Sequence, residues 1–370
     1  MQSVKFLEYF EELEDPRSKI NLHHQLNEIL FLTLCAVICG AQGWEDIELF
    51  GQAKESLLKE FFPYEYGIPS DDTLRRLFRA LDPEKFQTCF IEWMHSLDIN
   101  TKGKIICLDG KTSRRSYDND KKALHTVSAF AAETRLVLGQ QKTEEKSNEI
   151  TAIPELLDLL DIEGSIITID AMGTQRNIAK KILAQGADYI LALKGNQGTL
   201  NEDVRLFFED STFCSQAESY EEVNGGHDRI DSRKSTVSDD VAWLQQSHNW
   251  PGLQSIIKVE SSTKKKGTKS YETRYYISSL SANAEKIAQA IRSHWAIENS
   301  LHWVLDVSFD DDQSRIRKGF APQNMMTIKH IALNMLRTVQ KKRQSIKGLR
   351  KQAGWNDSIL KSVFYAVTKV

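Results

Sequence analysis

Apolar positions recur at helical spacing through the first hundred residues and then change period. Residues 4–14 place apolar side chains on one face and stop at Asp15-Pro16, which predicts a short amphipathic helix. A long apolar run over 26–40 closes at Gly40, and further helices are expected over 44–62 and 72–81. The last has Ser70 or Asp72 as its cap and Asp82-Pro83 as its stop. Arg75, Arg76 and Arg79 share one flank of that helix, which suits either a DNA contact or a solvated face.

From Lys104 the pattern becomes that of strands. KIICLDG, HTVSAFAA and LVLGQQKT read as three strands, the last two joined as a hairpin at Glu133-Thr134. A helix over 148–160 tolerates Pro154 near its start. The strand SIITIDAM, a helix over 174–185 closed by Gly186, the strand DYILALKG and a helix over 199–208 follow. Three strands and then strand–helix–strand–helix predict an α/β sheet with an antiparallel flank. Residues 211–283 are polar, with short runs (SIIKVES, YETRYYISSL) and turns at Asn224-Gly225-Gly226 and 264–267, and read as a β-rich insertion. A long helix is expected over 284–305, burying Ile287, Ile291, Leu301 and Leu305 on one face, and the chain from Ala321 is again helical. Three units result: a helical domain at 1–100, a core at 101–312 with its insertion at 211–283, and a helical tail at 313–370.

Charge sharpens this division. The 370 residues carry a formal net charge of −3, yet residues 1–100 hold 9 basic and 18 acidic side chains. Residues 101–312 hold 26 and 32, and residues 313–370 hold 13 and one, Asp357. A tail this basic suits a polyanion such as nucleic acid, or else a partner for the acidic first third. Five Cys without a CxxC pair argue against a disulfide framework and for a reducing compartment. The longest apolar stretch, 29–41, is too short to cross a bilayer, and the acidic N-terminus is wrong for a secretion signal. A cytoplasmic protein with no membrane partner is therefore expected.

Two strands end in a carboxylate: CLDGK puts Asp109 there and TIDAMG puts Asp170 there. The carboxyl ends of strands are where α/β sheets open a crevice, although an Asp before Gly or small residues also simply forms turns. Glu298 lies among Trp295, Ile297 and Leu301, so it is either paired, metal-bound or on the wet edge of its helix. Carboxylates without a His/Cys cluster suit Mg²⁺ or Mn²⁺ rather than Zn²⁺, and such ions serve phosphoryl transfer, two at a time. Other chemistries lack support. Gly110-Lys111-Thr112 is no phosphate-binding loop, since position 105 is Ile; His294 and His302 lack an i+4 histidine; there is no GxSxG.

The blocks GIPSDDTLRRLFRALDP, CLDGKTSRRS, LHTVSAFA, EKSNEITAIPELL, ITIDAMGTQ, DYILALKGNQ, GGHDRIDSRK and HWAIENSLHWVLDVSFDDD together carry a resemblance. In order and content the chain resembles the H-repeat-associated family of bacterial insertion-sequence transposases, over nearly its whole length. The resemblance implies a DDE-type transposase with an RNase H-like catalytic core. Its catalytic acids would be Asp109, Asp170 and Glu298, holding two Mg²⁺ ions with Mn²⁺ as substitute. The implied reaction cuts the element's ends and lets the freed 3′-OH attack target DNA. Paired ends imply at least a dimer on DNA.

Supporting roles stay open. Lys111, Arg114 and Arg115 would hold the scissile phosphate or be solvated; Lys194 ends the next strand and would approach the same crevice. His227, Arg229 and Arg233 of the HDRIDSR block suit a DNA-end contact, and Trp295 and Trp303 suit either base stacking or core packing. The wider group places its Glu in Tyr-x2-Arg-x3-Glu-x6-Lys; here those places hold Ile291, His294 and Leu305, so His294 stands where the Arg would be and the excision route is undetermined. Asp306 and Asp310–Asp312 are rival acids for the third position. An RNase H-like nuclease and an inactive DNA-binding remnant are the competing functions.

Overall fold

The computed structural model describes residues 5–18, 20, 22–118, 122–143, 149–210, 212, 216–226, 229–265 and 268–366. The α/β segment opens with β1 (Ile105–Thr112), β2 (His125–Ala131), β3 (Leu136–Thr143), β4 (Ile166–Ile169) and β5 (Asp188–Leu193). Residues 211–283 contribute β6 (Glu218–Gly226), β7 (Arg229–Ser238), β8 (Ser255–Lys265) and β9 (Thr268–Ser278). All nine belong to one sheet, ordered β3-β2-β1-β4-β5-β9-β8-β7-β6. β1, β4 and β5 run parallel, and β2 and β3 fold back against β1 as an antiparallel flank. That is the mixed α/β, RNase H-like arrangement expected. The β-rich segment does not form a sheet of its own, because β9 pairs with β5 and carries the central sheet onward.

Helices cover both faces and one end. The first hundred residues form a 3₁₀ turn at Lys5–Phe10, then α1 (Leu26–Cys39), α2 (Trp44–Ala53), α3 (Glu55–Leu58), α4 (Asp71–Ala80) and α5 (Pro83–Ser96). The 3₁₀ turn is shorter than the expected helix, and the single helix expected over 44–62 is broken between α2 and α3. Ser70 caps α4 through Thr73 N–H. Asp82-Pro83 starts a helix as well as ending one: the Asp82 carboxylate accepts the Glu84 and Lys85 amides, with Pro83 in the first turn of α5.

The core helices are α6 (Glu149–Asp158), α7 (Arg176–Ala184), α8 (Gly198–Glu209), α9 (Ala242–His248), α10 (Ala284–Ala296) and α11 (Trp303–Phe309). Those of the C-terminal segment are α12 (Ala321–Val339), α13 (Ile346–Trp355) and α14 (Asp357–Ala366). α12 is no loose tail; 14 of its 19 residues are buried, against α1, α4, α5 and β3. Asn334 grips edge strand β3, accepting from Val137 N at 2.9 Å and donating to Val137 O at 2.8 Å. No single helix among the described residues is long and apolar enough to cross a membrane, and the run at 29–41 lies largely in buried α1.

The helix expected over 284–305 is divided. α10 buries Ile287, Ala290 and Ile291 with Ile190, Val237 and Ile257 in a smaller core. A π-helical turn, Ile297–His302, follows, and α11 then sinks Val304, Leu305 and Phe309 into the main core. The wider turn lies where one helical rod passes from one core to another, and such turns cluster at functional sites.

Candidate metal centre

β1 and β4 pair in parallel with Leu108 opposite Ile169, so the next residues, Asp109 and Asp170, stand together where β4 stops. β1 itself continues to Thr112 against β2, and Asp109 remains in that ladder opposite Ser128. The Asp170 carboxylate is fixed by its own loop, accepting the Met172 amide at 2.9 Å and the Gly173 amide at 3.3 Å. Asp109 accepts the Gly110 amide at 2.9 Å. The π turn brings Glu298 to the same place from the opposite layer.

The electrostatics record the crowding. Burial, and then the nearby carboxylates of Glu298 and Asp170, push Asp109 up to about 8. The His302 side chain beside Glu298 outweighs partial burial and holds that carboxyl down at about 2. His302 Nδ1 lies 3.6 Å from Asp109 Oδ2 and 3.6 Å from Glu298 Oε2. One ligand atom each from Asp109, Glu298 and His302 falls within 4.8 Å of the others, a set able to hold a metal ion.

Several sequence-derived roles change. Lys111 is not placed to grip a phosphate: only 9% exposed, it pairs with Asp306 at 2.5 Å and Asp312 at 3.4 Å. The reason is that β1 runs past Asp109, so Lys111 is a strand residue on the same face rather than part of a loop. Of the rival acids, Asp306, Asp311 and Asp312 also lie within 4.8 Å of one another, but Lys111 reaches into that group and buried Asp311 accepts from Lys329 at 2.7 Å and from Ser113 at 2.7 Å. His294 packs by hydrogen bonding through Nδ1 to Thr168 on β4 at 2.9 Å, and burial lowers its affinity for a proton. That disfavours it as a cationic stand-in for Arg.

Arg114 is exposed and reaches Asp312 at 3.3 Å, Arg115 is exposed, and Lys194 is exposed just past β5, at the same sheet end as Asp170. Trp295 and Trp303 are not packed in a core; they are 49% and 59% exposed, and the Arg274 guanidinium covers the Trp295 ring at 5.1 Å. Arg229 pairs with Asp231 and Arg233 with Glu222 on the sheet extension, and Glu222 also meets Arg292 of α10 at 3.3 Å. His227 lies outside the described residues. Behind β1, Thr112, His125 and Glu149 form a buried chain, with His125 Nε2 2.6 Å from Glu149 and Nδ1 2.7 Å from Thr112.

With this geometry in view, the family profile described as "Transposase DDE domain" matches residues 99–335, and that described as "DDE_Tnp_1-associated" matches residues 7–94. The chain belongs to the DDE transposase family. This transposase is 43% identical to "Putative transposase YncI" of Escherichia coli O157:H7, over 100% of this chain and 97% of the relative. It is 41% identical to "H repeat-associated putative transposase YhhI" of Escherichia coli strain K12, over 98% of each. A solved piggyBac transposase synaptic complex with hairpin DNA aligns with 99% of this chain and 78% of its own at 13% identity, with a TM-score of 0.44. The transposase is thus a DNA-cleaving, phosphoryl-transferring enzyme whose described residues include acidic groups able to bind a divalent metal.

Proposed function

We propose that Asp109, Asp170 and Glu298 are the catalytic acids of this transposase and hold two Mg²⁺ ions, with Mn²⁺ as substitute. The reaction cuts an insertion-sequence end and joins the freed 3′-OH to target DNA. The observation that carries this reading is geometric: Asp109 and Asp170 meet where β4 stops, and a Glu298 oxygen lies within 4.8 Å of an Asp109 oxygen. That cluster holds more negative charge than it can ionise alone, and its oxygen donors fit a hard divalent cation. Bound there, such ions supply Lewis-acid activation of the attacking oxygen and charge stabilisation of the leaving one. The protein's own part is to fix the donors: Asp109 by a strand ladder, Asp170 by two amides, Glu298 by the π turn.

Exposed Arg114, Arg115 and Lys194 support DNA-backbone contact, and Trp295, half-exposed with Arg274 over its ring, is a further DNA contact three residues before Glu298. Arg229 and Arg233 are proposed to touch DNA farther out, on the extension. Two ends per element call for at least a dimer on DNA. The test is cleavage and joining of a labelled element end. Asp109→Asn, Asp170→Asn and Glu298→Gln are each expected to lower joining on the order of 10³-fold, about 4 kcal/mol of barrier, with end binding kept. Full joining in any one of them removes that residue from the site, and products cut but never joined favour a plain nuclease.

A further inference from the structure

We infer that His302 is a nitrogen ligand of the metal centre, so that the ion between Asp109 and Glu298 is held by two oxygens and one imidazole. The inference rests on the proposed role of those two carboxylates.

The geometry is specific. His302 is 6% exposed, on the π turn and four residues after Glu298. Its Nδ1 faces two carboxylates from different layers, each at 3.6 Å. That spacing is too long for a hydrogen bond. It suits donors that share one ion, since bonds of about 2.1 Å at open angles put neighbouring ligand atoms roughly 3.0–3.7 Å apart. Nε2 is buried with no hydrogen-bond partner among the described residues, and Nδ1 is the nitrogen turned to the carboxylates.

The neighbouring His294 is differently engaged, its Nδ1 being taken by Thr168 at 2.9 Å. An imidazole among the donors also predicts a preference. Nitrogen ligation favours Mn²⁺ over Mg²⁺ more than an all-oxygen site does.

The experiment uses the full chain with Mn²⁺ and histidine-selective 15N labelling, read by pulsed electron paramagnetic resonance. The expected result is a directly bound nitrogen coupling that changes with the label, survives in His294→Gln and vanishes in His302→Gln. Mn²⁺ affinity is expected to fall about 10–100-fold in His302→Gln. The unsubstituted protein already decides the matter, so a poorly folding variant does not blunt the test. Mn²⁺ bound in an Asp109-dependent way without any histidine coupling overturns the inference and leaves His302 a neighbour of the carboxylates that does not touch the metal. A coupling that disappears in His294→Gln instead also overturns it. Absence of Asp109-dependent Mn²⁺ binding overturns the carboxylate site and the His302 ligand together.

Discussion

Gly110 separates Asp109 from Lys111 and has no room for a side chain. A Cβ there would stand 2.3 Å from Glu149 Oε1 and 2.7 Å from His125 Nε2. Those atoms cannot yield cheaply, because both side chains are buried and hydrogen-bonded to each other. Gly110→Ala is therefore expected to cost about 1–3 kcal/mol in denaturant unfolding, as overpacked cores do. It should also weaken cleavage at temperatures where the variant is folded, since the strand that moves carries Asp109. Unchanged midpoint and activity would mean that the His125–Glu149 pair is loose. Asp170 stands out in the sequence because it follows an apolar strand run where a crevice opens, and Asp109 because its apolar run stops there, although β1 itself continues to Thr112. His302 does not, because histidine spacing points to a metal only where a second histidine stands one turn away. Its partners are a glutamate one turn back and an aspartate on a distant strand, a meeting that spacing cannot reveal. Lys111 departs from expectation for a related reason: a Gly after Asp109 resembles a strand's end, whereas Gly110 is there to clear the buried pair behind.

The elements that carry the acids are held to each other by charge. Lys111 on β1 reaches Asp306 on α11, and Asp311, just past α11, is buried between Ser113 and Lys329 of α12. Burial alone would raise the Asp311 carboxyl, but Lys329 and Lys111 outweigh it and hold it below the ordinary range. Its stabilising effect is thus complete above the usual carboxylate pKa of about 3.8 and is lost as pH falls below it. Lys329→Met is expected to cost about 3–5 kcal/mol, the penalty of stranding a buried charge. The sign of its pH dependence is diagnostic: the deficit should narrow as pH falls from 7 towards 5, since protonation discharges Asp311 more readily once its cation is gone. A deficit that stays constant over that range, in denaturant melts at each pH, would refute this account. The helix periodicity of 284–305 is readable in the sequence, but the π turn within it is not. Ile287 and Leu301 satisfy separate cores, and an apolar pattern along one rod does not say that there are two. α5 is hidden in the sequence because Asp82-Pro83 serves as both stop and start.

At the scale of the whole molecule, the acidic first third and the basic last segment fold into one helical layer. Lys361 pairs with Glu60 at 2.7 Å, Lys54 with Asp357 at 2.7 Å, and Arg350 is buried while donating to Val37 O of α1. Arg337 is half-buried, stacked over Phe130, and desolvation lowers it to about 9. The charge asymmetry is plain in the sequence, and nucleic acid and the acidic first third are both reasonable partners for it. Only the fold shows that several of these cations are consumed internally, because that depends on which helix faces which. Removing the segment would strip α1, where 12 of 14 residues are buried, and would test folding rather than DNA binding. Lys341, Lys342, Arg343, Lys347 and Lys351 remain exposed, near the end of α12 and along α13, beside Trp355 at 77% exposure. Replacing these five by Gln is expected to change unfolding free energy by no more than about 0.5 kcal/mol per site, since they lie on the surface. If they meet the DNA backbone, the slope of log affinity against log salt for end binding should flatten by about 0.9 for each phosphate they no longer neutralise. An unchanged slope would mean that the segment's positive charge works inside the fold, as mortar between the two ends of the chain, and that the ends of the element are gripped elsewhere.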